Sequence, residues 1–115
     1  HKGLDAAADW LVDNGYTEGY ATFWNGNAMT ELTNGKLDVW TLQSLDEDYV
    51  PNWLQRKDHL TTDPQHPFLL IDTETDGPAE SAGLVQNGEC TEVYNDGRFV
   101  IYDFAGADAV HAAAK

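Results

Sequence analysis

Between Tyr20 and Leu42 the chain runs strand, helix, strand, and this order restricts the fold more than any other feature of the sequence. Tyr20-Ala-Thr-Phe-Trp24 is aromatic and β-branched with no breaker inside it, which suits a strand buried on both faces. Asn25-Gly26 ends that strand, and Asn27 is placed to cap a helix over 28–33 whose Met29 and Leu32 face one way. Asn34-Gly35 supplies a left-handed stop. Leu37, Val39 and Thr41 then alternate with Lys36, Asp38 and Trp40 in a second strand over 36–42. Such a βαβ unit joins parallel strands by a right-handed crossover, here a short one. The fold class that follows is α/β.

The flanking segments fit around this unit. Leu4, Ala8, Leu11 and Val12 recur at helical spacing, Asp5 lies in the first turn where the helix dipole favours it, and Asn14-Gly15 ends a helix over 4–14. Asp46-Glu-Asp48 and Pro51 interrupt regular structure, after which Trp53, Leu54, Lys57 and Leu60 fit a short helical segment before Asp63-Pro64. Pro67 opens 68–72, a short apolar run of the kind found in central strands. Residues 73–89 read as a long acidic loop with one helical turn. Thr91 to Tyr94 and Phe99 to Phe104 flank Asn95-Asp-Gly-Arg98, a hairpin signal in which Asp-Gly accepts positive φ at both turn centres. The Ala-rich tail, 105–115, reads as helical or frayed. No repeat or linker divides the chain. The expectation is therefore one small α/β domain over 1–115: a mixed sheet of about five strands, a βαβ unit near the N-terminus, a C-terminal β-hairpin, and two or three packed helices.

Charge narrows the partners. Twenty Asp and Glu stand against six Lys and Arg, a net charge of −14, and a phosphate backbone would be repelled. Nucleic acid is not an expected partner. The longest apolar runs, Phe68 to Ile71 and Phe99 to Tyr102, are far below the roughly 20 residues of a membrane helix, so no direct insertion of this segment in a membrane is expected. Four Trp, five Tyr and four Phe give too much apolar surface for a disordered tail. The single Cys90 excludes an internal disulfide; beside Glu89 and Glu92 its thiol is held protonated, and it reads as a small buried hydrophobe.

Motifs for common chemistries are absent from the sequence: there is no Gly-rich phosphate loop, no Gly-x-Ser-x-Gly elbow and no His-Glu-x-x-His pair. No cofactor, metal or catalytic residue is assigned from sequence. Asp72-Thr-Glu-Thr-Asp-Gly77 has the look of a calcium loop but carries Glu74 at its third position and Gly83 at its twelfth, where Asp or Asn and a bidentate Glu belong. His59, Asp63 and His66 lack a fixed ligand frame and read as surface groups. Twenty carboxylates guarantee accidental pairs, and a two-carboxylate glycosidase needs a separation that sequence does not give. The densest unusual segment is 20–35. There Trp24, Asn25, Asn27 and Glu31 are candidate glycan-binding residues at the carboxyl end of a strand, where α/β sheets gather ligands. The alternative gives Asn25 to the turn, Asn27 to the cap and Trp24 to the core.

Ala8-Asp-Trp-Leu-Val-Asp-Asn-Gly-Tyr16, Gly19-Tyr-Ala-Thr-Phe-Trp-Asn-Gly-Asn27 and Thr30-Glu-Leu-Thr-Asn-Gly-Lys-Leu-Asp-Val39 together resemble the extracytoplasmic C-terminal domain of bacterial polytopic membrane glycosyltransferase-like proteins. The resemblance continues loosely through Trp53-Leu-Gln-Arg-Lys57, Pro67-Phe-Leu-Leu-Ile71 and Val100-Ile-Tyr102. It implies that transferase chemistry belongs to loops of the membrane portion, so no catalytic residue carries over. His1-Lys-Gly, without Met or a signal-like apolar stretch, fits a piece of such a larger chain. The resulting expectation is a non-catalytic accessory domain at the extracytoplasmic face of the cell membrane, whose partners are the transmembrane portion of its parent and a glycan. The alternatives are a small free-standing carbohydrate-active enzyme using paired carboxylates, and a structural or protein-interaction module.

Overall fold

The computed structural model describes residues 3–42 and 66–104, apart from the side chains of Phe23, Trp24, Leu42 and Asn87. Its elements are α1 (Leu4–Asp13), β1 (Glu18–Thr22), α2 (Phe23–Leu32), β2 (Asp38–Leu42), β3 (Phe68–Asp72), a 3₁₀ turn (Ala79–Ser81), α3 (Gly83–Asn87), β4 (Cys90–Asn95) and β5 (Phe99–Phe104). The five strands form one mixed sheet in the order β2-β1-β3-β5-β4. β1 is parallel to both β2 and β3, while β5 runs antiparallel to β3 and to β4. The parallel β1-α2-β2 unit and the C-terminal β4-β5 hairpin are thus both present. The short helix expected near 53–60, His59, Asp63 and the tail 105–115 lie outside the described residues.

Period-2 alternation divides the strand side chains between two cores. Ala21, Val39, Phe68, Leu70, Phe99 and Ile101 meet Leu4, Ala7, Ala8 and Leu11 of α1 and Ala28 and Met29 of α2. Tyr20, Trp40, Leu69, Ile71, Val100, Tyr102 and Phe104 form the other face with Ala79, Ala82 and Leu84. Burial on both faces explains why β3 and β5 read as continuous apolar runs rather than alternating ones.

Both long helices end in the same way. At α1 the amide of Tyr16 donates to the Leu11 carbonyl at 3.0 Å and that of Gly15 to Val12 at 3.1 Å, with Gly15 at φ 84°. At α2 the amide of Gly35 donates to Thr30 at 2.9 Å and that of Asn34 to Glu31 at 3.2 Å, with Asn34 at φ 53°. These are Schellman closures, in which a left-handed residue turns two amides back onto orphan carbonyls.

Three local expectations need correction. β1 closes at Thr22 and α2 begins at Phe23, so Asn25-Gly26 is not a turn and Asn27 is not a cap. The physical reason is packing at Gly26, where an added Cβ would lie 2.8 Å from Thr41 Cγ2 and 3.2 Å from Val39 Cγ1. This glycine brings the helix against β2 instead of ending the strand. Residues 73–89 hold a 3₁₀ turn and α3 where one helical turn was expected. In the hairpin only Gly97 has positive φ, and Asp96 does not. The turn is held by side chains: Asp96 Oδ1 accepts the amides of Arg98 at 3.0 Å and Phe99 at 2.8 Å, and Asn95 Oδ1 accepts that of Gly97 at 2.9 Å. Among the described residues no helix is long and apolar enough to cross a membrane.

Candidate functional site

The sequence-predicted residues Trp24, Asn25, Asn27 and Glu31 all fall on α2. Asn27 and Glu31 are exposed and one turn apart, so they share a face. Asn25 is half-buried and lies about 200° around the helix from Asn27, given 3.6 residues per turn. The Trp24 side chain is outside the described ones. Described geometry therefore pairs two of the four and separates a third from them.

The crevice where ligands usually gather lies at the carboxyl ends of β1 and β3, because the chain leaves β1 toward β2 on one side while β3 lies on the other. An acidic cluster occupies it. Asp72, 1% exposed, receives Arg98 Nε on Oδ1 and Arg98 Nη2 on Oδ2, each at 3.0 Å, and the Glu74 amide on Oδ1 at 3.0 Å. Asp76 Oδ2 accepts the amide of Asp72 at 3.0 Å and its Oδ1 accepts the Thr22 hydroxyl at 3.1 Å. Arg98 Nε also lies 2.8 Å from Glu74 Oε2. Burial pushes the Asp72 carboxyl up, but the Arg98 hydrogen bonds, the Glu74 amide, the Arg98 charge and the Thr75 hydroxyl outweigh it and hold the group below the usual carboxylate range. Asp76 moves the other way: burial and the neighbouring Asp72 charge outweigh its two donors and raise it.

A second cluster lies at the opposite, amino end of the parallel strands. Tyr16 precedes β1, His66 precedes β3, and Asp103 sits on β5 opposite Phe68. Asp103 Oδ2 accepts the Tyr16 hydroxyl in a short hydrogen bond and lies 3.1 Å from His66 Nε2. Since an ionised carboxylate only accepts, Nε2 carries the proton and Nδ1 of the neutral ring is left as an acceptor. Burial, then the hydrogen bond and the charge of Asp103, push the Tyr16 phenol up to about 12. Half-buried rings continue the cluster: centroids are 5.9 Å apart for His66 and Tyr16, 5.9 Å for Tyr16 and Trp10, and 5.5 Å for Trp10 and Tyr94. Beside them opens a cavity of about 290 Å³ lined by Asn14, Gly15, Tyr16, Thr17, Glu18 and His66.

The chemistry open to these groups is polar recognition. A phenol held protonated to about 12 is neither base nor nucleophile near neutrality. Cys90 is half-buried with its thiol pushed up by burial and its Sγ 3.8 Å from the Val85 carbonyl, the opposite of an activated thiol. Among the described residues no three His, Cys, Asp or Glu side chains are grouped to hold a metal ion.

Sequence reasoning singled out His66 but not Tyr16 or Asp103. A faint signal exists, since Tyr16 and His66 each stand just before a strand. What joins them is the pairing of Gly19 with Phe68 and of Phe68 with Asp103, which no local pattern encodes. Comparison of the chain with protein-family models, with curated proteins and with solved structures finds no match.

Proposed function

We propose that this chain is a non-catalytic accessory domain, carried outside the cell membrane by a glycosyltransferase-like membrane protein, and that it contacts glycan together with the transmembrane portion of its parent. The observation that carries the non-catalytic role is the state of the carboxyl-edge acids. All four carboxylate oxygens of Asp72 and Asp76 hold donors from Arg98, Thr22 or the loop backbone. A general acid or nucleophile there would have to break the turn that positions it. The membrane parent and the location rest on the resemblance of 8–39. Opposed shifts at Asp72 and Asp76 are the feature that favours a carbohydrate-active enzyme instead, because acid and base assignments follow such splits.

The test is to read the complete reading frame and to assay the full-length protein with and without this domain. Hydrophobic spans in the same frame, together with transfer chemistry that persists after deletion while glycan capture weakens, is the expected result. A frame without such spans, or chemistry that disappears with the domain and returns when it is added back alone, overturns the proposal.

A further inference from the structure

Resting on that glycan-contacting role, we propose that the cavity beside Tyr16 and His66, not the face of α2, is the sugar subsite, and that it takes one neutral pyranose. At about 290 Å³ it stands at the lower end of the roughly 300–1,000 Å³ usual for small-molecule sites, room for a single ring. Its lining is rich in acceptors. His66 presents Nδ1, because Asp103 fixes the proton on Nε2; Asn14 uses Nδ2 on the Trp10 carbonyl at 2.8 Å and keeps Oδ1; Glu18 adds a carboxylate. Sugar hydroxyls are the matching donors. The row of rings from His66 through Tyr16 and Trp10 to Tyr94 offers apolar faces to C–H groups of the same and the adjoining residue. A ligand bearing carboxylate or phosphate would meet Glu18 and Asp103 in a chain at −14, so acidic sugars are excluded. Asp103 acts as a positioning residue: it touches Tyr16 and His66 and holds both rings in place.

The experiment titrates the 115-residue chain with gluco-, galacto- and manno-configured neutral tetraoses, a glucuronic acid tetramer and a glucosamine tetramer, followed by calorimetry and Trp fluorescence. His66 is 64% exposed, so His66→Ala leaves the fold intact, which its melting temperature verifies. The expected result is saturable binding of a neutral tetraose, none of the uronic acid, and about fivefold or greater weakening in His66→Ala, the loss of one hydrogen bond and a ring face. Asp103→Asn is expected to weaken binding comparably and to move the His66 proton from Nε2 to Nδ1 in ¹⁵N NMR, a change that packing loss alone would not produce. Binding untouched by both substitutions, or abolished by Glu31→Gln alone, overturns the pocket while leaving a glycan-contacting accessory domain. Preference for the glucosamine tetramer that vanishes with salt overturns neutral-sugar selectivity. Binding of no panel member overturns the subsite, and release of shortened sugar overturns the accessory role itself.

Discussion

Asp72 is where burial and charge pairing oppose each other within one side chain. Its 1% exposure favours the protonated acid, and Arg98 with the loop amides reverses that preference. A carboxyl lowered in the folded state contributes stability above the unfolded value of about 3.9, and this is lost as pH falls through the lowered value. Asp96, lowered by the Phe99 and Arg98 amides, the Tyr94 hydroxyl and the Arg98 charge against its own burial, behaves alike. Asp76 is raised, so its term is present at low pH and lost as pH rises through the raised value. Asp72→Asn is expected to cost about 1–3 kcal/mol at pH 7 in urea unfolding, with the gap to the parent chain closing below pH 4. A gap that stays constant down to pH 2.5 would mean that Asp72 acts by shape rather than charge. Glu74→Gln, at a side chain 65% exposed, is expected to cost no more than about 0.5 kcal/mol. Tyr16 gives a separate handle: ultraviolet titration of Tyr16→Phe should lack the ionisation near 12, and the stability tied to that proton is present below 10 and lost as pH rises through about 12. Loss of a transition near pH 10 instead would place the phenol away from Asp103.

At the scale of elements, the boundary between β1 and α2 is the instructive one. β3 and β5 occupy the spans read from sequence, 68–72 and 99–104, because double-sided burial writes itself as an unbroken apolar run bounded by Pro67 and by the hairpin. Asn14-Gly15 and Asn34-Gly35 were legible for a similar reason, since a left-handed helix closure requires one of a few residue types. Asn25-Gly26 carries the same letters and does something else. Its glycine is selected by the approach of α2 to Thr41 and Val39, a tertiary contact with no local signature. Gly26→Ala separates the two meanings. Helix propensity alone would stabilise by about 1 kcal/mol, whereas a Cβ 2.8 Å from the methyl of Thr41, a buried and stiff side chain, is expected to give a net loss of about 1–3 kcal/mol. Thr41→Ser in the same chain should recover part of it. A more stable single variant would show that α2 stands off the sheet.

For the molecule as a whole, 20 acidic residues cannot each find a partner among six basic ones, and Arg98 alone serves Asp72 and Glu74. Repulsion among the remaining carboxylates opposes compaction. Screening lengths fall from about 30 Å at 0.01 M to about 10 Å at 0.1 M salt, so the melting temperature is expected to rise over that range. A flat or falling temperature would mean that these groups are solvated too well for net repulsion to count. The fold class was legible because a βαβ unit and a hairpin each declare themselves over about 25 residues or fewer of chain. The sheet order was not, and with it went the meeting of Tyr16, His66 and Asp103, whose partners lie up to 87 positions apart. The same order sets the acidic cluster in the crevice between β1 and β3 and closes it with Arg98. The most direct measurement is therefore prolonged incubation of the 115-residue chain with the glycan panel, read as release of reducing ends. A domain that holds sugar without transforming it releases none, in the parent chain and in Asp76→Asn alike. Reproducible release by the parent chain that Asp76→Asn abolishes would contradict the account and assign the crevice to catalysis.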